Sequence, residues 1–336
     1  MNELGLEIPT TIDEWENVLL TIKKEKNVLA PLAAADFSMA YTLFGVHYGL
    51  YINDEGKYDF GWAQPGLKEA LVRLNDWYKK GLIDKNFITA DAKSVDTQIL
   101  TGQTIATFIS GGDIGRYMNA AEIPGFDLVG IPFPKLDDGS YNPCMLVGQI
   151  ASGNAASISA QCKYPELAAK VIDYNYTDEG HIFANFGKEG EAHTVVDGEH
   201  KYTDLVVNNP DGLSVMESLA FNTRAGAVGP FAVNKGYLLQ YYKTPQQKEA
   251  LSNWQVGFDT SNAHRQLPVS LTPEEAQEAS DITTELYKYS GTMCARFISG
   301  QESFDNFDAY MKHMEALGLS RLCEIYTNAL NRFNAR

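Results

Sequence analysis

Two short stretches with almost no charge constrain the fold of this chain more than any other feature. Residues 104–109 read Thr-Ile-Ala-Thr-Phe-Ile, and residues 126–132 carry one charged side chain, Asp127. Uncharged runs rich in β-branched and aromatic residues are typical of strands buried on both faces. Because segments with helical periodicity surround both runs, we predict a small mixed sheet within an α/β layer architecture.

Helix start and stop signals divide most of the remaining chain. Thr11 and Glu14 match an N-cap and its capping-box partner, followed by an apolar stripe with helical spacing. Thr272 begins the longest predicted helix, which Gly300 closes. The pattern is helical from residue 210 onward, so the chain is expected to be predominantly helical. Further helices are predicted directly after residue 110 and over 36–46, 66–80, 94–101, 165–176, 303–317 and 319–333. Hairpins are predicted over 50–60 and 193–203. A turn is predicted over 136–140, followed by a strand-like stretch to 147.

The charge balance excludes two classes of partner. The chain has 43 acidic and 27 basic side chains, a formal net charge of −16. A nucleic-acid-binding protein needs a basic face, and so does a surface held to anionic lipid. We therefore expect no nucleic-acid partner. No apolar run reaches the 18 residues of a membrane span, and residues 1–7 lack the basic and apolar regions of a signal peptide.

The residues that usually form metal or catalytic sites match no known motif. The four cysteines, at 144, 162, 294 and 323, have no C-x-x-C spacing and are predicted to be buried free thiols. No zinc spacing or calcium loop is present, so we expect no cofactor and no structural metal. His193 and His200 lie on the two arms of the predicted hairpin and could approach each other. A pair of exposed hairpin histidines is the simpler interpretation.

Ser110-Gly111-Gly112-Asp113 is the stretch whose residues most favour ligand binding. It joins the predicted strand 104–109 to a helix start. In open α/β sheets, ligands bind beyond the carboxyl ends of strands and near helix N-termini, where glycine lets them approach the backbone. An ordinary strand–helix turn is the alternative. Trp62 has no place in a helical stripe and could be either a cleft aromatic or a loop anchor.

Several segments, taken in their order along the chain, resemble one protein family. They are residues 4–15, 77–84, 102–106, 163–170, 176–180, 187–204, 271–275 and 297–300. The chain resembles the extracellular solute-binding proteins of bacterial ABC importers, in the maltose-binding-like carbohydrate group, and more narrowly the large lipoproteins of gram-positive bacteria. The resemblance implies a helix-rich α/β, periplasmic-binding-protein-like (type II) fold of two lobes. It also implies a binding protein that is not an enzyme and that works with the membrane subunits of an ABC importer.

One departure from the family pattern concerns position. In the family, the Pro-Thr-Thr-x-x-Glu-Trp-like stretch follows a signal peptide, a lipid-modified cysteine and most of the first lobe, whereas here it occupies residues 9–15. The resemblance therefore implies that most of the first lobe is missing, together with the signal peptide and lipid-modified cysteine of an extracytoplasmic, membrane-anchored lipoprotein. Residues 1–185 would form the second lobe and 186–270 the remnant of the first, with C-terminal helices 271–336 packing on the second lobe.

The resemblance also nominates ligand-binding residues by family position. They are Asp36, Ser38 and Tyr41, then Ser110, Gly111, Gly112 and Asp113, and from the first-lobe remnant Arg224 and Phe231. The expected ligand is a carbohydrate or a related small polar solute held in an interlobe cleft. Two alternatives remain open. Asp36 and Asp113 could be the carboxylate pair of a carbohydrate-active enzyme, or the chain could be a truncated relic without a ligand.

Overall fold

The computed structural model describes residues 4–144, 156–213, 215–224, 229–242 and 244–336. The chain divides into two compact units, each considered by itself below. Unit 1 comprises Met1–Val147 and Glu249–Arg336, and unit 2 comprises Gly148–Lys248. The predicted lobe boundaries, at 185/186 and 270/271, lie at other points of the chain and remain a prediction.

Helices predominate in the described residues, as predicted, and none of the described helices is both long and apolar enough to cross a membrane. Two 3-10 helices, Phe37–Phe44 and Tyr174–Tyr176, occupy part of the predicted helices 36–46 and 165–176. The α-helices are α1 (Ile12–Glu25), α2 (Leu67–Lys79), α3 (Ala92–Leu100), α4 (Gly111–Ala120), α5 (Pro165–Asp173), α6 (Asp178–Phe186), α7 (Asp204–Val207), α8 (Val215–Asn222), α9 (Lys235–Tyr241), α10 (Pro245–Trp254), α11 (Phe258–Ala263), α12 (Pro273–Ser299), α13 (Phe307–Ala316) and α14 (Leu319–Asn334).

The predicted capping signals are confirmed. The Thr11 hydroxyl accepts the Glu14 amide while the Glu14 carboxylate accepts the Thr11 amide, which is a complete capping box. Thr272 and Glu275 form the same arrangement at the start of α12, and Gly300 ends that helix at φ 75°. A left-handed residue at a helix end is inexpensive only for glycine, which explains why the local sequence predicted this boundary correctly.

The core of unit 1 lies between α2 and the C-terminal helices. Trp77 of α2 and Phe297 of α12 are fully buried in it, and Tyr310 of α13 is 1% exposed. A polar contact fixes the register of two of these helices, because the buried Asn75 amide donates to the carbonyls of Phe297 and Ile298 at 3.1 and 2.8 Å. The C-terminal helices are therefore an integral part of unit 1.

Both predicted hairpins are present. In unit 1, β1 (Leu50–Ile52) pairs antiparallel with β2 (Tyr58–Phe60), and in unit 2, β3 (His193–Val196) pairs antiparallel with β4 (Glu199–Tyr202). Asp197 and Gly198 connect β3 and β4, both with positive φ, at 53° and 80°. These are the angles that an Asp-Gly hairpin turn requires.

The predicted strands over 104–109 and 126–132 are wrong. In the described residues, the first stretch forms one isolated parallel bridge, between Ala106 and Leu32, and the second forms none. The segment beside 104–109 contains Pro31, which has no amide to extend a ladder, and Pro132 lies within the second stretch. The apolar pattern has another cause. Ile109, Phe126 and Leu128 pack against a small cluster that contains Val95, Ile99 and Tyr117.

The turn predicted over 136–140 is confirmed, since the Leu136 amide donates to the Ser140 carbonyl at 3.0 Å. The strand-like stretch predicted to follow it is wrong for residues 141–144, which have no strand pairing. Its remainder, residues 145–147, lies outside the described residues.

Unit 2 is built around the end of α6. Its small core consists of five buried residues and the side chains around them, and a buried amide, Asn185, lies next to it. By contrast, α5 buries none of its residues, and Leu167 and Val171 on its predicted apolar face are 61% and 65% exposed. The buried core residues are Phe186, Ala192, Tyr202, Val206 and Leu219.

Candidate ligand-binding site

An isolated parallel bridge in unit 1 sets the positions of two groups of predicted ligand-binding residues, one beginning at Asp36 and the other at Ser110. Leu32 and Ala106 form a parallel bridge, reinforced by a hydrogen bond from the Ala33 amide to the Ala106 carbonyl at 3.1 Å. Asp36 and Ser110 each follow the bridged residue of their own segment by four positions. Because the segments run in the same direction, both residues emerge at the same end, where ligands bind in α/β proteins. Both residues thus follow a single parallel bridge, and no continuous sheet forms there among the described residues.

Asp36 is an exposed carboxylate held by neutral donors. It caps the 3-10 helix Phe37–Phe44, and its Oδ1 accepts the Ser38 amide at 3.0 Å together with the Ser38 hydroxyl. Its Oδ2 accepts the Tyr48 hydroxyl at 3.0 Å. A carboxylate has about four acceptor positions, two on each oxygen, so Oδ1 is fully used and Oδ2 has room for one further donor. The predicted pair of Asp36 and Ser38 is therefore a local hydrogen-bonding group with acceptor capacity left over.

Tyr48 presents the exposed aromatic face of this group. It is 39% exposed, and its ring stands edge-on to Trp62 at a centroid distance of 5.7 Å. Burial and the Asp36 charge raise the pKa of Tyr48, so its hydroxyl keeps the proton that it donates to Asp36. Sequence analysis did not nominate Tyr48, because no periodicity or motif distinguishes it from the other tyrosines of the chain.

Trp62 supports Tyr48 from within the core. It is 5% exposed and contacts the rings of Tyr287 and Phe60 at 4.9 and 6.1 Å, and its carbonyl accepts the Tyr310 hydroxyl at 2.5 Å. These contacts favour the loop-anchor interpretation of Trp62. Its Nε1 is buried and has no hydrogen-bond partner in the described part of the chain. Such unsatisfied donors are exceptional in folded proteins.

Tyr41 belongs to the same aromatic group but is buried. It is 4% exposed and lies edge-on to Trp62 at 6.0 Å. Burial raises the pKa of its hydroxyl well above the usual value, and the neighbouring Cys294 adds to this effect. In this structure Tyr41 therefore packs against Trp62 and exposes no face of its own to solvent.

The second predicted group forms the start of α4. Ser110 is the exposed N-cap, and Gly111 and Gly112 follow with no side chains over the helix N-terminus. The Asp113 carboxylate accepts the Ser110 amide at 3.1 Å and the Ser110 hydroxyl at 2.7 Å, which completes a capping box. The stretch is therefore a turn from extended chain into α4, with both glycines at the edge where the parallel bridge places Asp36.

An ion-pair network anchors Asp113. Arg116 donates to Asp113 from Nε at 3.3 Å and from Nη2 at 3.2 Å, and it also forms a two-pronged pair with Asp96 at 2.8 and 3.0 Å. The hydrogen bond from Arg116, joined by one from Tyr117, holds the pKa of Asp96 below its usual value. Asp36 caps the 3-10 helix Phe37–Phe44, and Asp113 is the capping-box partner of Ser110, so each already has a structural role.

Arg224 and Phe231 lie in unit 2, on either side of residues 225–228, which are outside the described residues. The Arg224 amide donates to the Ala184 carbonyl at 2.7 Å while its side chain is exposed, and Phe231 is 8% exposed. The fully buried Asn185 fixes the neighbouring backbone. Its Nδ2 donates to the Ala232 carbonyl at 2.9 Å, and its Oδ1 accepts the Asn234 amide at 2.7 Å. No local sequence signal indicated this role for Asn185.

His193 and His200 approach each other as predicted, with a centroid distance of 4.9 Å. The expectation that both are exposed is wrong, because His200 is half-buried and His193 is 1% exposed, with its Nδ1 3.1 Å from the Phe186 carbonyl. The hairpin folds its histidine face onto Phe186, on which His200 stacks at 5.0 Å. Among the described residues, no three metal-ligating side chains come together as a potential ion site.

Comparison with known families and sequences gives two findings. A family profile described as bacterial extracellular solute-binding protein matches residues 1–182. The fructooligosaccharide ABC transporter substrate-binding protein FusA of Streptococcus pneumoniae is 22% identical over 358 residues, an alignment that covers 100% of this chain. The chain spans 64% of the length of that relative.

Solved structures share the fold over nearly the whole chain. The alginate-binding protein AlgQ2 without calcium ion has a TM-score of 0.73 at 21% identity, over 98% of this chain and 70% of that one. FusA of S. pneumoniae in complex with kestose has a TM-score of 0.69 at 20% identity, over 99% and 70%. A human-milk-oligosaccharide (HMO) binding protein of Bifidobacterium longum infantis has a TM-score of 0.67 at 16% identity, over 99% and 72%. These likenesses confirm the expected helix-rich, type II periplasmic-binding-protein-like fold.

Proposed function

The chain belongs to the bacterial extracellular solute-binding protein family, and on that premise we propose that it binds a carbohydrate, or a related small polar solute, for an ABC importer. The proposal includes no chemical change to the ligand. Its partners would be the solute and the membrane subunits of the importer, and its place of work outside the cytoplasm. A lipid anchor and the division into two lobes belong to the same proposal.

The observation that carries the proposal is the group formed by Asp36 and Tyr48 at the edge defined by the Leu32–Ala106 bridge. Sugars offer two surfaces to a protein, a ring of hydroxyl donors and an apolar face of C–H groups. The Asp36 Oδ2 can accept one further hydroxyl hydrogen bond, and the exposed face of Tyr48 can pack against C–H groups. The ring of Tyr48 packs edge-on against the buried ring of Trp62.

Ser110, Gly111 and Gly112 are proposed to contribute backbone and hydroxyl hydrogen bonds at the same edge. Ser38, Tyr41 and Asp113 would act by holding this surface in shape, as their contacts with Asp36, Trp62 and Ser110 suggest. Arg224 and Phe231 of unit 2 are retained as proposed ligand-binding residues. Support for a carbohydrate ligand comes from similar proteins, whose names give fructooligosaccharide, kestose and milk oligosaccharides as their ligands.

A ligand panel tests the proposal. Thermal-shift measurements with kestose, longer fructooligosaccharides, milk oligosaccharides and alginate oligomers should reveal at least one ligand that raises the melting temperature, because a ligand that binds only the native state stabilises it. Calorimetry should then give saturable binding at one site. Failure of every member at millimolar concentration would contradict the proposal.

Two matched variants connect binding to this surface. Tyr48→Ala removes the exposed ring and should weaken the best ligand at least tenfold, since a lost aromatic contact and hydrogen bond together cost about 1.4 kcal/mol or more. Tyr164→Ala removes a tyrosine that is 70% exposed on unit 2 and should leave the affinity unchanged. Turnover of a chromogenic glycoside, lost in Asp113→Asn, would instead support the enzyme alternative.

A further inference from the structure

The charges at the Asp36 edge are unbalanced. Asp36, Asp96 and Asp113 bring three carboxylates to the groups that the parallel register places together. In the described part of the chain, Arg116 is the one cationic side chain that contacts any of the three. Nη1 and Nη2 of its guanidinium both donate to Asp96, and Nη2 also donates to Asp113. Among the described residues, the three carboxylates therefore outnumber the one guanidinium that contacts them, and that guanidinium is already paired.

This arrangement suits one class of sugar and not another. Proteins hold the carboxylate of an acidic sugar chiefly with an arginine fork or a lysine, which supply several donors and the opposite charge. Asp36 offers acceptors instead, and its present donors are all neutral groups. A hydroxyl-rich neutral sugar can supply further neutral donors, whereas a uronate would bring a like charge beside Asp36.

A second observation is a buried donor beside Tyr48 that has no partner among the described residues. Trp62 is 5% exposed and its Nε1 has no partner in the described residues, while the ring contacts both Tyr48 and Tyr287. The indole nitrogen can only donate. An acceptor oxygen of a bound sugar that reached it after a small movement of Tyr48 would satisfy it. This feature does not depend on the carboxylates.

We infer that the surface formed by Asp36 and Tyr48, which packs on the buried Trp62, selects uncharged oligosaccharides and discriminates against uronates, an inference that rests on the proposed function. The fold alone does not decide this point. The relatives that share it include a protein named for alginate, an acidic polymer, and others named for neutral sugars. The discrimination comes from the unopposed charge of Asp36.

A pair of ligands that differ in one group tests the inference. The best neutral oligosaccharide from the panel is compared with its derivative in which a primary hydroxyl is oxidised to a carboxylate. At low salt the derivative should bind at least tenfold more weakly. The ratio of the two dissociation constants, derivative to parent, should fall toward one as the salt concentration rises, because mobile ions screen the repulsion.

Asp36→Asn provides the matched variant, since asparagine is an equally good N-cap and keeps the 3-10 helix capped. In this variant the ratio of the dissociation constants of the acidic derivative and its neutral parent should be at least threefold smaller than in the unmodified protein. An unchanged ratio in this variant would remove Asp36 as the cause. A derivative that binds as tightly as its parent would overturn the inference and leave the proposed function intact, whereas absence of binding by any neutral oligosaccharide would overturn both.

Discussion

Replacing Asn185 by alanine should destabilise unit 2 far more than an ordinary surface substitution does. Asn185 is fully buried, and its amide donates to the carbonyls of His181 and Ala232 at 2.8 and 2.9 Å. Its Oδ1 accepts the Asn234 amide at 2.7 Å. One side chain thus joins α6 to the backbone that follows Phe231, where a proposed ligand-binding residue lies.

The magnitude follows from what the substitution leaves behind. Each hydrogen bond contributes about 0.5–1.5 kcal/mol net, and a buried donor or acceptor left without a partner costs about 1–3 kcal/mol. Asn185→Ala removes three bonds and leaves the Ala232 carbonyl and the Asn234 amide without this partner. Because the backbone can shift to recover part of the loss, we expect the free energy of unfolding to fall by about 3–5 kcal/mol.

Denaturant unfolding followed by circular dichroism measures the loss, and hydrogen exchange of peptides that cover 229–234 locates it. Asn209→Ala is the matched control in the same unit, because Asn209 makes two exposed hydrogen bonds, to Leu205 and Asp211. It should cost less than about 1 kcal/mol. Equal losses in the two variants, or unchanged exchange over 229–234, would refute the role assigned to the Asn185 amide.

Two further predictions concern unit 1. Burial, reinforced by the nearby His264, lowers the pKa of His47 to about 4, so the unfolded chain binds this proton more readily and stability falls as the pH drops from about 6.5 to about 4. The loss of stability reaches about 3 kcal/mol. His47→Gln should therefore flatten the dependence of the free energy of unfolding on pH between about 6.5 and 4. An unchanged slope in this variant would contradict the lowered pKa of His47. A Cβ on Gly61 would lie 1.8 Å from the His47 carbonyl oxygen, so Gly61→Ala should lower the free energy of unfolding in urea by about 3 kcal/mol. Gly66→Ala is the control, because a Cβ there meets one flexible side chain at 3.9 Å, and it should cost under about 1 kcal/mol. Similar costs in the two variants would show that the backbone at Gly61 moves freely.

Features that depend on neighbouring residues in the chain were predictable from the sequence. The capping boxes at Thr11 and Thr272 and the Asp197-Gly198 turn each need residues that lie within three positions of one another, so one sequence contains the whole signal. The resemblance nominated Asp36 and Ser110 as ligand-binding residues of one cleft wall, and that role stays a prediction. Their parallel register was then found in the structure.

Features that depend on distant partners were not predictable in this way. A strand over 104–109 needs a partner with free amides, and the segment that lies beside it contains Pro31. The roles of Tyr48 and Asn185 follow from contacts with residues 12 to 49 positions away, for which no local pattern exists. The exposed face of α5 has helical spacing like any buried stripe, and spacing alone does not show whether a neighbour covers it.

The central claim is that a carbohydrate binds at the edge formed by Asp36, Tyr48 and the start of α4. Hydrogen-exchange difference measurements with and without the best panel ligand test it most directly, because they report which backbone amides the ligand protects. We predict protection confined to peptides that cover 36–48 and 110–113 within unit 1, lost in Tyr48→Ala at the same ligand concentration. Protection of α12 to α14 with no change over 36–48 and 110–113 would contradict the claim.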